Sequence, residues 1–510
     1  MKTFICISLV AMIGIVIFSA ENINIGFPIQ ESRIDTFNYE LFEQVRNPYS
    51  FIGSNIFCLA SESKKSEING NTYYISPSGN DGADGSLHSP WKTPYISVKK
   101  LKPGDTLIFL DGEYIISEFD EIIIVPGGEE NAWITLKGEE GKKPTIKGMN
   151  DLYSSIILSD VGYIRIENLE ITSKDGAPFR DAINAIDDPI NHIVLKDLYI
   201  HHIDEFGINF KNVSWAEIID CTIEYCGFGS IGGPEAEAGG WRNIIIDGCD
   251  LSYNGHYYMG IADNPENPYS RPDGFGIEPS EGPIEIRYTT AQHNLGDGLD
   301  SKADNTYIHH CLVSNNYCNG VKLWGANSKV ENVLICGTGE GDVDSPWCPI
   351  VISYWGQPGA TFELVNVTVA DTPSRPSYSM TVQYDSEVRV ELTIKNCIFA
   401  NTYGAIWVRE NTSLDVEYNH FFRPEDDVQL IYGKEYTYSQ ILNGSLGPGN
   451  TYGEPLFINP KWGNDDFDYH LQSGSPAIDS GTSSGAPSDD LDGIRRPKLK
   501  TYDKGCYEFH

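Results

Sequence analysis

The 510-residue sequence predicts an all-β chain wound into a parallel β-helix, on three observations. From about residue 159 to 435 a loose unit recurs, a short β-rich run, a polar turn, then a glycine and a second run, as in "HIVLKDLYIHHIDEFGINFKN", "WRNIIIDGCDLSYNG", "NTYIHHCLVSNNYCNGVKLWG" and "LTIKNCIFANTYGAIWV". Aligning "PDGFGIE", "GDGLDSK" and "CNGVKLWG" on the Asp-Gly or Asn-Gly pair puts Asp273, Asp297 and Asn319 in register, at separations of 24 (297 − 273) and 22 (319 − 297), which fit one coil of a solenoid. Strands this short, rich in Ile and Val, cannot bury an apolar face alone, and long helical periodicity is absent; stacking the coils buries it.

Along the chain, residues 1–20 read as a signal peptide, Lys2 followed by an apolar run from Phe4 to Phe18 that is short for a membrane span. Phe18 stands where a cleavage site after Ala20 prefers a small residue, so an uncleaved anchor is the alternative; either way the body is expected to be secreted or held at the cell surface. Residues 21–70 carry no repeat and read as an N-terminal extension or linker. Residues 71–455 are the β-helix, expected to be the catalytic domain, and 456–510 its C-terminal closing segment. The longest interruption of the coils, "HYYMGIADNPENPYSRP" (256–272), lies just before Asp273, and long loops of a solenoid often line its functional face.

The opening "YYISPSGNDGADGSLHSPWKTPYISVKKLKPGDTLIFLDGEY" resembles that of secreted right-handed β-helix proteins, which implies a short capping helix, here around Ser97 to Leu101. "DYHLQSGSPAIDSGT", "DLDGIRRP" and "YDKGCYEF" are similar to the segment that closes such helices.

With 72 acidic against 36 basic side chains the formal net charge is −36, which argues against nucleic acid and anionic membrane as partners, apart from the N-terminal anchor alternative. The same charge favours cations. Of 11 cysteines none forms a CxxC pair or a metal-ligand spacing, which argues against zinc. Cys221, Cys249, Cys311 and Cys397 share one sequence frame, which points to a column of stacked small residues ahead of a disulfide. A monomer is expected.

The charged strand "GDGLDSK" is the focus. Counting with period two from the aligned glycines sends Phe275 and Ile277, Leu299 and Ser301, and Val321 and Leu323 inward. The outward columns are then Gly276, Asp300, Lys322 and Glu278, Lys302, Trp324, with Asp273, Asp297 and Asn319 at the preceding corner. Coils about 4.8 Å apart let Asp273, Asp297 and Asp300 converge on one ion, with Lys322 one coil further on and Gly276 leaving space above Asp300. Plain ion-pair ladders are the alternative, and for Lys302 and Glu278 that or substrate contact is expected rather than catalysis. Trp324, Tyr354 and Trp355 offer stacking faces for sugar rings, or packing.

These residues resemble the pectate lyases of polysaccharide lyase family 9, which carry an Asp in a "DGF" turn, an acidic "DDGxD" strand one coil later and a Lys in an "NG-x-K" strand after that. The matching positions are Asp273 in "PDGFG", Asp297 and Asp300 in "GDGLD", and Lys322 in "NGVKL". The resemblance implies that the aspartates bind Ca²⁺, that Lys322 is the catalytic base, and that the substrate is an acidic polysaccharide, pectate foremost among the uronans. The chain departs from the pattern at Gly296, which stands where the first Asp of "DDGxD" is expected and removes one implied ligand.

The chemistry suits these residue types. Cleaving a 4-linked uronan by β-elimination removes the C5 proton, accessible once a cation neutralises the adjacent carboxylate. The base must then be neutral. A carboxylate at about 5 Å and effective dielectric ~20 favours the ammonium by about 3 kcal/mol, roughly two pKa units, and a cation on the carboxylates reverses that field. Two other readings compete: a β-helical hydrolase of the polygalacturonase kind, against which the "GHG" signature is missing, and a non-catalytic surface or carbohydrate-binding β-helix.

Overall fold

Isoleucine, leucine and valine at alternate positions of short strands stack coil upon coil to build the interior. One such column runs Ile166, Leu195, Ile218, Ile246, Ile286, Ile308, Val330, Leu364, Ile394 and Val416, each residue paired with the next coil's across a parallel ladder. In this computed structural model, residues 70–510 are described, except 174–178, 237, 258–271, 340–346, 373–377, 385, 403, 410, 424–427, 432–433, 462 and 464. The leader and the extension expected at 1–70 lie outside the described residues except for Gly70, as does nearly all of the 256–272 insertion.

Among the described residues, three sheets of 13 strands each form the faces of a parallel β-helix. The first begins at Thr72–Ile75 and ends at Thr412–Glu417, and the third runs from Glu113–Ile116 to Thr451–Tyr452. The second sheet runs from Ile123–Ile124 to Lys434–Thr437, carries the acidic strands, and is parallel until its last pair, Val428–Ile431 with Lys434–Thr437, turns antiparallel. From Thr106–Phe109 to Val428–Ile431 each coil thus contributes one strand to each sheet. The apolar residues of all three meet in one core.

The cysteines are stacked thiols. Cys221, Cys249, Cys311 and Cys397 each precede a strand of the third sheet, are free and buried, and donate to backbone carbonyls, as Cys221 Sγ does to Ile219 O at 3.3 Å and Cys311 Sγ to His309 O at 3.2 Å. A thiol fills the corner without leaving a buried polar atom unpaired.

Two expectations shift. The N-terminal helix spans Pro94–Val98, earlier than Ser97 to Leu101, because Pro94 with its fixed φ starts it and Lys99 ends it. The 456–510 segment lies along the side of the coil stack: Phe457, Tyr469, Leu471, Ala477 and Cys506 bury the outward residues Leu334, Cys336, Ala370, Ile398 and Ala400 of the third sheet. Corner asparagines in the left-handed region dock it, Asn332 Nδ2 donating to Asp489 O (2.7 Å), Asn366 Nδ2 to Gly505 O (3.0 Å) and Asn396 Nδ2 to Thr482 O (2.8 Å). The buried pair Arg496–Glu508 (2.6 Å) sits beside them, with Arg496 Nη2 donating to Asn332 Oδ1.

Candidate active site

Four consecutive strands of the second sheet, Gly229–Gly233, Asp273–Ser280, Leu299–Ala303 and Val321–Leu323, carry the site. Their register follows the expected alternation: Phe275, Leu299 and Val321 pair in one inward column, Ile277, Ser301 and Leu323 in another, and Gly276, Asp300 and Lys322 in the outward column between them. All six inward residues are buried.

The corner before these strands is rigid for a reason the sequence reading missed. Asn254, Asn294 and Asn316 form a buried ladder in which each amide binds the next coil, Asn254 Nδ2 to Asn294 Oδ1 at 2.6 Å and Asn294 Nδ2 to Asn316 Oδ1 at 2.9 Å. Asn294 and Asn316 each stand three residues before an aligned site residue, in "NLGDG" and "NYCNG", a signal that was available. The glycine that follows each corner residue is there for close approach: a Cβ on Gly298 would lie 2.7 Å from Asn316 Nδ2 and 2.8 Å from Gly320 O.

Across this corner the carboxylates are wired from coil to coil. Asp273 Oδ1 accepts from Asp297 N at 2.6 Å, and Asp297 Oδ1 accepts from the backbone and side-chain nitrogens of Asn319, both at 2.8 Å. Lys322 Nζ donates to Asp300 Oδ2 at 2.7 Å and to Asp297 Oδ2 at 3.3 Å. One oxygen of each of Asp273, Asp297 and Asp300 lies within 4.8 Å of the other two. The expected triad and Lys322 therefore converge. Gly276 makes room for Asp273 in particular, since a Cβ there would stand 2.7 Å from its Oδ2.

The charges do not balance. Burial, reinforced by Asp297 and Asp300, pushes the Asp273 carboxyl well above the usual range. Burial also raises Asp300, against the opposing pull of Lys322 and Lys302. Burial pulls Lys322 down, but Asp300, Asp297 and Asp273 outweigh it and hold the ammonium above the ordinary lysine range. Asp300 Oδ1 is buried with no hydrogen-bond partner. A corner with three hard oxygen donors, an orphaned carboxylate oxygen and a deficit of positive charge could hold a metal ion.

The outer column is less regular. Pro279 has no N–H to give the ladder, and the strand bulges there, so that Ser280 pairs with Ala303 while Ile277 pairs with Ser301. Lys302 nevertheless reaches Glu278, Nζ to Oε1 at 2.5 Å, and stands 3.7 Å from Asp300 Oδ2. Trp324 is the wall of this cluster: Lys322 Nζ lies 4.3 Å and Lys302 Nζ 5.4 Å from its ring centroid, and Trp355 meets it edge-on at 4.9 Å. Its ring faces cations. Trp355, 45% exposed, is the more open aromatic surface.

Residues 73–339, more than half of the chain, match the sequence family described as "Pel9A-like, right handed beta helix region". No curated protein matches the chain. Among solved structures the chain is similar to that titled "Crystal structure of pectate lyase Pel9A", at 14% identity over 87% of this chain and 97% of that one, with TM-score 0.48. It is also similar to "The complex structure of XylC with xylose" (11% identity, 86% and 98% covered, TM-score 0.51) and to "Rhamnogalacturonan lyase" (14%, 62% and 87%, TM-score 0.46). At such identities the likeness is one of fold.

Proposed function

Because the chain belongs to the Pel9A-like right-handed β-helix family, we propose that it is a secreted polysaccharide lyase that cuts a 4-linked uronan, pectate before others, by cation-assisted β-elimination. One observation carries this reading: Asp273, Asp297, Asp300 and Lys322 meet at one corner of the second sheet, with Lys322 held between Asp297 and Asp300.

Asp273, Asp297 and Asp300 would hold the Ca²⁺. The bound ion would neutralise the substrate carboxylate and so acidify the C5 proton. Lys322 Nζ takes that proton once it is a neutral amine; the C5–H electron pair becomes the C4=C5 bond as the C4–O4 bond breaks, and the leaving O4 takes a proton from solvent. Lys504 shows what enclosure does to a lysine of this chain without carboxylates around it: with carbonyl and hydroxyl partners instead, burial pulls it down to about 7. Lys322 is held in the ammonium form by its three carboxylates, so neutralising them leaves burial to favour the neutral amine. Activity then rises with pH as the amine forms and reaches its plateau on the alkaline side. Trp324 and Lys302 keep the ammonium side of the pocket in shape, and Glu278 holds Lys302.

Inverting hydrolysis is the poorer account. An inverting hydrolase separates its carboxylates by roughly 6.5–9.5 Å to admit a water, whereas ligand oxygens of all three carboxylates here lie within 4.8 Å. The products decide. A lyase releases a 4,5-unsaturated uronate that absorbs in the ultraviolet; reducing ends that accumulate without that absorbance mean hydrolysis, and no product on any uronan means a binding protein.

Gly296→Asp tests the corner itself. Gly296 is outside the left-handed region, so an aspartate is tolerated by the backbone. A fourth carboxylate should tighten Ca²⁺ binding on the order of tenfold, measured by calorimetry. Unchanged affinity in a folded variant would remove the corner from consideration.

A further inference from the structure

Three rungs beyond Lys322, the outward columns of the second sheet rebuild a cation–tryptophan pair. The ladder runs Lys322, Val351, Thr381, Trp407, and the positions two residues on are Trp324, Ser353, Gln383 and Arg409, of which Gln383, in the left-handed region, turns its amide to the backbone of Tyr354 and Val388. Lys322 with Trp324 thus returns as Trp407 with Arg409, the two side-chain types exchanged between columns. Between the pairs the floor is low: Thr381 and Ser353 are buried, and Val351 is short. Tyr384, 50% exposed, rises beside the far pair, its ring 5.1 Å from that of Trp407 and tilted by 49°.

Arg409 follows Trp407 by two positions, just past the end of its strand Gly404–Val408. Its Nε donates to Tyr384 O at 2.7 Å, which ties the guanidinium to the Tyr384 backbone, and its ion-pair partner among the described residues is Glu387 at 4.0 Å, itself 93% exposed. Such a distant, solvated partner engages little of the charge. Lys302 and Lys322, by contrast, are closely engaged by carboxylates. In a protein of net charge −36, a lightly paired guanidinium two residues along the chain from Trp407 and tied to the backbone of Tyr384 is matched to an anionic sugar: the paired rings take the apolar face of a pyranose and the guanidinium its carboxylate.

We propose that Trp407, Tyr384 and Arg409 form a remote uronate-binding subsite, three rungs or ~14 Å from Lys322 along the coil axis. One sugar ring cannot touch both Lys322 and Arg409 at that separation. The subsite therefore selects chains long enough to lie along the sheet, and it favours a free carboxylate over its methyl ester at the position that reaches Arg409. This inference rests on the uronan reading above for the identity of the ligand.

The experiment compares trigalacturonate and hexagalacturonate, with calorimetric binding alongside turnover. Arg409→Gln should raise KM for the hexamer about tenfold, with kcat changing by less than about twofold, so that the hexamer-to-trimer ratio of kcat/KM falls. Tyr384→Ala, at a half-exposed position, should lower the same ratio, and it keeps the test alive if Trp407→Ala fails to fold. Arg409→Lys should restore part of the affinity. If wild type cuts uronans and the variants bind hexamer as tightly as it does, the subsite is wrong. If wild type cuts none, the lyase reading fails, yet weaker hexamer binding by Arg409→Gln would still uphold the subsite, and equal binding would dismiss both.

Discussion

Lys322→Arg is expected to lower turnover by about 10³-fold while leaving the coil stack and cation binding in place. A guanidinium keeps its charge at any pH the protein survives and cannot accept the C5 proton, although it can still pair with Asp297 and Asp300. Lys322→Ala should be as inactive for a different reason, since it removes the acceptor and leaves the carboxylates without their ammonium. The two variants separate chemistry from architecture. Arginine should keep a near wild-type unfolding temperature; alanine, which strips the buried Asp300 of its 2.7 Å partner, should unfold earlier in chelator and recover with Ca²⁺. In wild type the rate should climb toward alkaline pH, and in Lys322→Arg the residual rate should lack that limb. A Lys322→Arg enzyme with wild-type turnover would end the lysine-base mechanism.

The part of this site that could be read from the chain alone is the part fixed by local rules. Period two along a strand and one coil between the Asp-Gly and Asn-Gly pairs suffice to send Phe275, Leu299 and Val321 inward and to bring Asp300 beside Lys322, and the ladders have that register. What the alternation cannot foresee is where a strand breaks step. Pro279 interrupts the ladder with a bulge, so the simple column Glu278, Lys302, Trp324 is not continuous, and contact between Glu278 and Lys302 comes from the lysine's reach.

Long-range packing was equally out of view. "DLDGIRRP" and "YDKGCYEF" read as closing motifs, but their placement depends on asparagines far away in sequence, Asn332, Asn366 and Asn396, whose left-handed corners turn side-chain amides outward to meet them. The space at Gly276 was anticipated and its occupant was not: the carboxylate of Asp273, from its own strand, fills it. Trp324 likewise turns its ring to the lysines rather than to open solvent, an orientation set by Trp355 from the following coil.

Chelation should abolish turnover, and added Ca²⁺ should restore it and raise the unfolding temperature. The second effect follows from mass action: a ligand that binds only the folded chain stabilises it by about 2.7 kcal/mol at a hundredfold excess over its Kd. The hydrophobic interior is continuous through all three sheets and includes none of the site's charged groups, so removal of the ion should leave the solenoid folded. Asp300→Asn locates the effect. The amide keeps the shape of the side chain but replaces one hard oxygen donor and removes the charge that, with Asp297, holds Lys322 in place. Its nitrogen would face either the ammonium or the buried position of Oδ1, which has no hydrogen-bond partner in wild type. Asp300→Asn should therefore lose the Ca²⁺-dependent rise in unfolding temperature together with turnover. A rise that persists in Asp300→Asn would place the ion elsewhere, and full turnover in excess chelator would show that the carboxylates serve Lys322 without a metal.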